Sequence, residues 1–182
     1  MAPLRGSKGM LYDGGIREPL ICKWPGRVEA GSVCDEPVIS RDFYPTILEL
    51  AGCEIPAEKV IDGKSLVSLV TKKHKLNRDA LYWHFPAYLQ TYLYDTPWRT
   101  TPAGVIRKGD WKLIEFFEDG ILELYNLKDD LSETTNLAEK FPQKLKELHT
   151  QMKKWRQELN APVPTEKNLG YDPKAVYKPR KR

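Results

Sequence analysis

The sequence predicts an α+β fold in which a small antiparallel sheet is covered by a C-terminal helix. Three observations carry that expectation. Asp119-Gly120 lies between two apolar runs, the strongest short-range sign of a β-hairpin. Phe141, Leu145, Leu148, Met152, Trp155 and Leu159 recur at helical spacing with Lys, Glu, Gln and Arg between them. Ala80-Leu81-Tyr82-Trp83-His84-Phe85 is a short aromatic run stopped by Pro86, as a strand would be.

Taken in order, Pro19-Leu20-Ile21-Cys22-Lys23-Trp24 reads as a first strand ended by Pro25-Gly26. Residues 42–51 read as a short helix with Phe43, Ile47, Leu50 and Ala51 on one face. Asp42 is its expected N-cap, Pro45 sits in its first turn, and Gly52 takes the left-handed position after its end. Residues 53–79 read as connecting loop with one helical turn near Leu66–Val70. Strands follow at 80–85, 105–107, 111–117 and 121–126, and Lys108-Gly109-Asp110 turns the second into the third. A two-residue turn at Asp119-Gly120 sets Phe117 opposite Leu122, Glu115 opposite Leu124 and Ile114 opposite Tyr125. The last helix runs from about Pro142 to Leu159, with Leu148, Met152 and Trp155 expected in the core and Pro162 and Pro164 beyond it. The expected divisions are residues 1–78, residues 79–162 and a basic tail, 163–182.

Composition narrows the function classes. At 182 residues the chain is one large domain or two small ones, 41% hydrophobic and 30% charged, with a mean hydropathy of −0.55. No apolar run is long enough to cross a bilayer, and the first residues lack a secretory leader's apolar stretch, so no membrane partner is expected. The compartment stays unread. The net charge of +4 resides in Lys174, Lys178, Arg180, Lys181 and Arg182; without them 24 Lys and Arg face 25 Asp and Glu. A basic tail on a neutral body predicts no nucleic-acid partner. Cys22, Cys34 and Cys53 are too few for a disulfide framework, and no Cys-x-x-Cys exists. The odd count leaves a thiol free, which fits either a reducing compartment or buried small apolar groups. His74, His84 and His149 stand far apart, so no metal site is expected.

One segment has the grammar of a ligand loop. Between Leu4 and Arg17, four glycines surround Lys8, Asp13 and two arginines. Glycines let backbone approach a ligand, and a lysine offers a compact charge to a tetrahedral anion. The phosphate-cradling Gly-x-x-x-x-Gly-Lys-Ser/Thr is absent. His84 sits alone on its aromatic strand, where a histidine is usually a hydrogen-bonded structural residue. Arg107 and Lys108 at a hairpin turn read as solvated. Tyr88, Tyr92, Tyr94 and Trp98 share the longest loop, either as a stacking platform for a sugar or aryl group or as core.

Pro3-Leu4-Arg5-Gly6-Ser7-Lys8-Gly9, followed by Tyr12-Asp13-Gly14-Gly15-Ile16-Arg17-Glu18-Pro19, resembles the lysine loop of the arylsulfatase family. The likeness continues through Trp24-Pro25-Gly26, residues 42–52, Asp62-Gly63-Lys64-Ser65-Leu66, residues 81–86, residues 106–114, residues 124–127 and residues 133–138. It implies the C-terminal part of a sulfatase, with residues 1–78 as the end of an alkaline-phosphatase-like α/β domain. The implied reaction is hydrolysis of a sulfate ester substrate, with Lys8 as the catalytic cation on the non-bridging sulfate oxygens. Asp13 and Arg17 are implied as loop braces. His84 is the implied substrate contact, although Ala87 stands where some relatives carry a second histidine. The family's calcium and formylglycine are implied for a full-length enzyme, not for this chain. No Cys/Ser-x-Pro-x-Arg occurs here, and Cys22-Lys23-Trp24-Pro25-Gly26-Arg27 has one residue too many before its proline. The isolated chain is therefore expected to be an inactive piece, with a self-associating edge near residues 19–24. Alternatives are a phosphonate or phosphate monoester hydrolase of the same superfamily, and a binding or structural module without catalysis. Family members are often periplasmic, secreted or lysosomal.

Overall fold

A computed structural model of the chain describes residues 2–56, 58–72, 74–90, 98–166 and 169–170. Tyr92, Tyr94 and the charges of the basic tail lie outside them. The chain divides into two compact units, residues 1–18 with 79–182, and residues 19–78.

The first unit is built on a four-stranded antiparallel sheet. Its strands are β1 (Leu81–Phe85), β4 (Ala103–Lys108), β5 (Trp111–Phe116) and β6 (Leu122–Asn126), adjacent in that order. Two further strands, β2 (Leu89–Gln90) and β3 (Trp98–Thr100), pair separately. Side chains alternate across the pleat, and both faces are covered. Ile106, Leu113 and Leu124 pack with Leu148 and Met152 of the helix α4 (Pro142–Glu158). Ala103, Val105, Ile114 and Tyr125 pack instead with Leu11 and Tyr12, from the first residues of the chain. That explains why Val105-Ile106 and Leu113-Ile114 are apolar at consecutive positions: neither side of the strand meets water.

The β5–β6 hairpin departs from the two-residue turn the sequence suggested. Leu113 stands opposite Leu124, and Glu115 opposite Leu122. The loop is Phe117–Gly120, closed by the Phe116 amide on the Ile121 carbonyl (3.0 Å) and the Gly120 amide on the Phe116 carbonyl (3.0 Å). Gly120 takes φ +72°, and the Asp119 carboxylate accepts the Ile121 amide. Phe117 leaves the ladder because its amide bonds the Pro102 carbonyl (2.9 Å). The register is thus two residues from the expected one. A shift of two keeps every side chain on its face, so the expected faces survive the wrong pairing.

Helix α4 also needs one correction. Leu148 and Met152 are fully buried, but Trp155 is half-buried, stacked on the Tyr82 ring at 4.6 Å. Phe141 and Leu159, the ends of the stripe, are exposed, although the Phe141 ring still meets Trp111 of β5 edge-on at 5.2 Å. The buried position the pattern missed is Arg156, whose guanidinium meets the Glu115 carboxylate at 2.6 Å.

In the second unit a 3-10 turn (Ser40–Asp42) leads into α2 (Phe43–Leu50), and α3 (Val67–Lys72) follows. Asp42 stands at the N-cap position of α2, but its side chain makes no capping hydrogen bond there. Its buried carboxylate accepts the Ile39 and Lys64 amides, each at 2.9 Å, and the Arg78 guanidinium. Burial alone would raise this carboxyl, but Arg78 and the two amides hold it below the ordinary carboxylate range. The helix packs through Pro45 and through Thr46, whose hydroxyl accepts the Leu66 amide at 2.9 Å. Phe43, Ile47 and Leu50 consequently face outward. Residues 19–24 form no strand: no described segment pairs with them, and Ile21 is 91% exposed.

Candidate functional site

The segment Leu4–Ile16 folds back on itself. The Met10 amide bonds the Ser7 carbonyl at 2.9 Å, and the Gly14 amide bonds the Arg5 carbonyl at 2.7 Å. The short helix α1 (Asp13–Ile16) closes the loop. Gly14-Gly15 is required by this closure. A Cβ on Gly14 would meet the carbonyl oxygens of Arg5 and Gly6, and one on Gly15 those of Ser7 and Met10. Lys8 therefore lies inside a loop whose two ends are tied together.

The loop is pinned to the sheet by a buried ionic cluster. Lys112, on the β5 face opposite α4, is wholly buried, and its Nζ lies 2.8 Å from Asp13 Oδ1 and 2.7 Å from Glu133 Oε1. The second Glu133 oxygen accepts the Asp13 amide at 2.6 Å. Burial pushes the Glu133 carboxyl above its ordinary value, against the pull of Lys112 and the Asp13 amide. Glu133 reaches this place from a left-handed backbone (φ 52°), a conformation unusual for a side-chain-bearing residue. Arg17 stands 3.8 Å from the other Asp13 oxygen and is half-exposed.

A second set of bonds holds the other end. Arg5 donates to the Tyr125 hydroxyl (2.9 Å) and the Glu133 carbonyl (2.8 Å), and its guanidinium lies 3.9 Å over the Tyr12 ring. The Tyr12 and Tyr125 hydroxyls both donate to Glu123, at 2.7 and 2.8 Å. Burial, and then the Glu123 carboxylate, push both phenols up, so they remain protonated donors. At the middle of the loop, Arg99 of β3 donates to the Lys8 carbonyl at 2.9 Å. The Lys8 side chain is exposed, and its ammonium has no hydrogen-bond or ion-pair partner among the described residues. A depression of about 190 Å³ lies alongside, lined in part by Met10, Tyr12, Trp98 and Arg99.

The structure does not bring His84 to this loop. His84 faces Gly104, on the α4 side of the sheet; its Nε2 donates to the Pro162 carbonyl at 2.7 Å, and its ring lies 5.4 Å from Phe117. Lys108 is tied to Asp79 (2.9 Å) and Gln151 (3.1 Å) rather than merely solvated. Of the aromatic loop residues, Tyr88 and Trp98 lie with ring centroids 4.9 Å apart. Sequence reasoning missed Lys112, Glu133 and Arg99. Lys112 left a trace as a charge within the apolar strand Trp111–Phe116, and Glu133 as the first residue of the 133–138 likeness; Arg99 left none.

The antiparallel sheet with a helix on one face is the α+β architecture that the resemblance implied for the C-terminal part of a sulfatase. The family profile described as N-sulphoglucosamine sulphohydrolase, C-terminal, matches residues 7–161, and the chain belongs to that family. It is 39% identical over 177 residues to a sulfatase of Formosa agariphila, an alignment covering 89% of this chain and 31% of that protein. It thus spans about a third of the length of this curated relative. The crystal structure of Ps i-CgsB in complex with k-i-k-neocarrahexaose matches with a TM-score of 0.69 at 27% identity, over 85% of this chain and 32% of that one. The phosphonate monoester hydrolase SpPMH of Silicibacter pomeroyi matches with a TM-score of 0.56 at 26% identity, over 75% of this chain and 28% of that one.

The described residues do not fit the calcium that the sulfatase resemblance implies. No three His, Cys, Asp or Glu side chains converge among them; Asp13 and Glu133 already face the Lys112 ammonium, and Glu123 accepts the Tyr12 and Tyr125 hydroxyls. Likewise no described helix is long and apolar enough to cross a membrane.

Proposed function

We propose that this chain supplies the lysine loop and C-terminal sheet of a sulfatase, and that Lys8 presents its ammonium to the non-bridging oxygens of a sulfate ester. One contrast carries the reading: the loop backbone is bonded down at both ends and the middle, while the Lys8 ammonium is exposed and uncommitted. A cation held in place stabilises negative charge that grows as the ester bond breaks, with no reorganisation at that moment. Asp13 and Arg17 act as braces, and the rest of the ionic cluster positions rather than reacts. The sequence of residues 1–182 contains no Cys/Ser-x-Pro-x-Arg from which the family's nucleophile is made. Electrostatic attraction without a nucleophile lowers no barrier.

The test uses residues 1–182 alone, and the same residues in place of the matching third of the Formosa agariphila sulfatase. The short chain should release no 4-nitrophenol from 4-nitrophenyl sulfate, with or without calcium. The combined chain should release it, and Lys8→Ala should slow turnover about 10²–10³-fold. Turnover by the short chain, or an unimpaired Lys8→Ala enzyme, would overturn the reading. The match to a phosphonate monoester hydrolase favours a second reading, in which the same cation faces a phosphonate ester. Phenyl phosphonate esters assayed in parallel separate the two, and a folded combined chain that hydrolyses neither would point to a non-catalytic module.

A further inference from the structure

Lys8 needs more than an anchored loop: its own peptide must be oriented, and the described structure contains one contact that does this. The Lys8 carbonyl accepts Nη1 of Arg99, from β3, at 2.9 Å. The stem of the same arginine lies over the next residue. Gly9 has φ +89°, and a Cβ there would come within 3.1 Å of Arg99 Cδ and would clash with the Leu89 side chain of β2. The two short strands therefore close on the Lys8–Gly9 peptide from one side, with a hydrogen bond to its carbonyl and two side chains against its bare Cα. The Met10 amide, bonded to Ser7, keeps the turn closed from the other side. A main-chain carbonyl held by a guanidinium has little freedom to rotate, and its rotation would swing the Lys8 side chain.

We propose that Arg99 is a positioning residue for Lys8, acting through the Lys8 carbonyl and not on substrate. The proposal rests on the reading of Lys8 as the sulfate-facing cation. Arg99→Met is the informative substitution, since it keeps an unbranched stem over Gly9 and removes the hydrogen bond. In residues 1–182, it should speed hydrogen exchange at the Met10 amide by about 3- to 10-fold, the range expected for one net hydrogen bond, and leave the Leu113 and Ile114 amides unchanged. Unchanged exchange at Met10 would overturn the proposal, as would equal acceleration in the sheet, which would mean a general loss of stability.

The second readout is a double-mutant cycle in the combined sulfatase chain. Arg99→Met should lower kcat about tenfold, a modest share of what a 1 Å displacement can cost. In a Lys8→Ala background it should lower kcat less than twofold, because a residue that acts through Lys8 has nothing left to act on. Full additivity would overturn the proposal while leaving Lys8 in its role. An unimpaired Lys8→Ala enzyme would instead remove the reading on which the proposal stands.

Discussion

Lys112→Met puts the buried cluster under the sharpest test. The substitution keeps an unbranched, apolar-stemmed side chain on β5 and removes the cation that lies 2.7 and 2.8 Å from two carboxylates. Asp13 and Glu133 are both essentially without solvent contact, at 1% and 0% exposure. Neither could recruit water to replace Lys112. Breaking a buried ion pair by removing one partner typically costs about 3–5 kcal/mol, much of it from the charge left behind. For a chain of this size that is a fall in Tm of roughly 6–20 °C. The loss should depend on pH. Glu133 is already raised above its ordinary value of 4.5, and without Lys112 it rises further. A carboxyl raised in the folded state holds its proton longer than the unfolded chain does, so stability falls as pH climbs from 4.5 through the raised value. Urea unfolding followed by tryptophan fluorescence should therefore show the larger deficit at pH 7.5 and the smaller one at pH 5. Combining Lys112→Met with Asp13→Asn and Glu133→Gln should recover most of it, because no uncompensated charge then remains. A deficit below about 1 kcal/mol at pH 7.5, or one equal at the two pH values, would refute the argument.

Other outcomes follow from the α4 side of the sheet. Met152→Ala, at a fully buried position, should cost about 3–4 kcal/mol, whereas Trp155→Ala, which removes a half-buried ring stacked on Tyr82, should cost about 1.5–3 kcal/mol; the reverse order in urea unfolding would contradict the packing. Burial would raise the Glu115 carboxyl, but Arg156 and then His149 hold it below its ordinary 4.5. A carboxyl depressed in this way adds stability above pH 4.5 that is lost as pH falls through its folded value, so the advantage of the native chain over Glu115→Gln should shrink between pH 5 and pH 3. A difference that stays constant over that interval would count against the Glu115–Arg156 contact.

What could be read in the sequence follows from which interactions are local. The helix Pro142–Glu158 and the strands around Asp119-Gly120 were legible, because periodicity and turn chemistry act between near neighbours. The register at that turn was not, since the Phe117 amide chose a partner, Pro102, that no turn preference involves. Asp42 looked like a helix cap and became the acceptor for Arg78, 36 residues away. The lysine loop was legible through its likeness to a family and its glycines. Its fastening was not: Lys112, Glu133 and Arg99 lie about a hundred residues from it, and nothing near them marks the partner. The apolar run Pro19–Trp24 had the composition of a strand but found no neighbour to complete its ladder.

The central sheet is roofed on one side by α4 and on the other by Leu11 and Tyr12, so the loop's own flank is part of the hydrophobic interior. Melting of the sheet therefore also removes the support beneath Lys8, whereas the Arg99 contact can be lost with the sheet intact. Variation is constrained in the same way. A substitution beside Lys8 must also leave the interior filled. Within the loop, tolerance is therefore narrowest at Leu11, Tyr12 and Asp13, whose side chains belong to the interior.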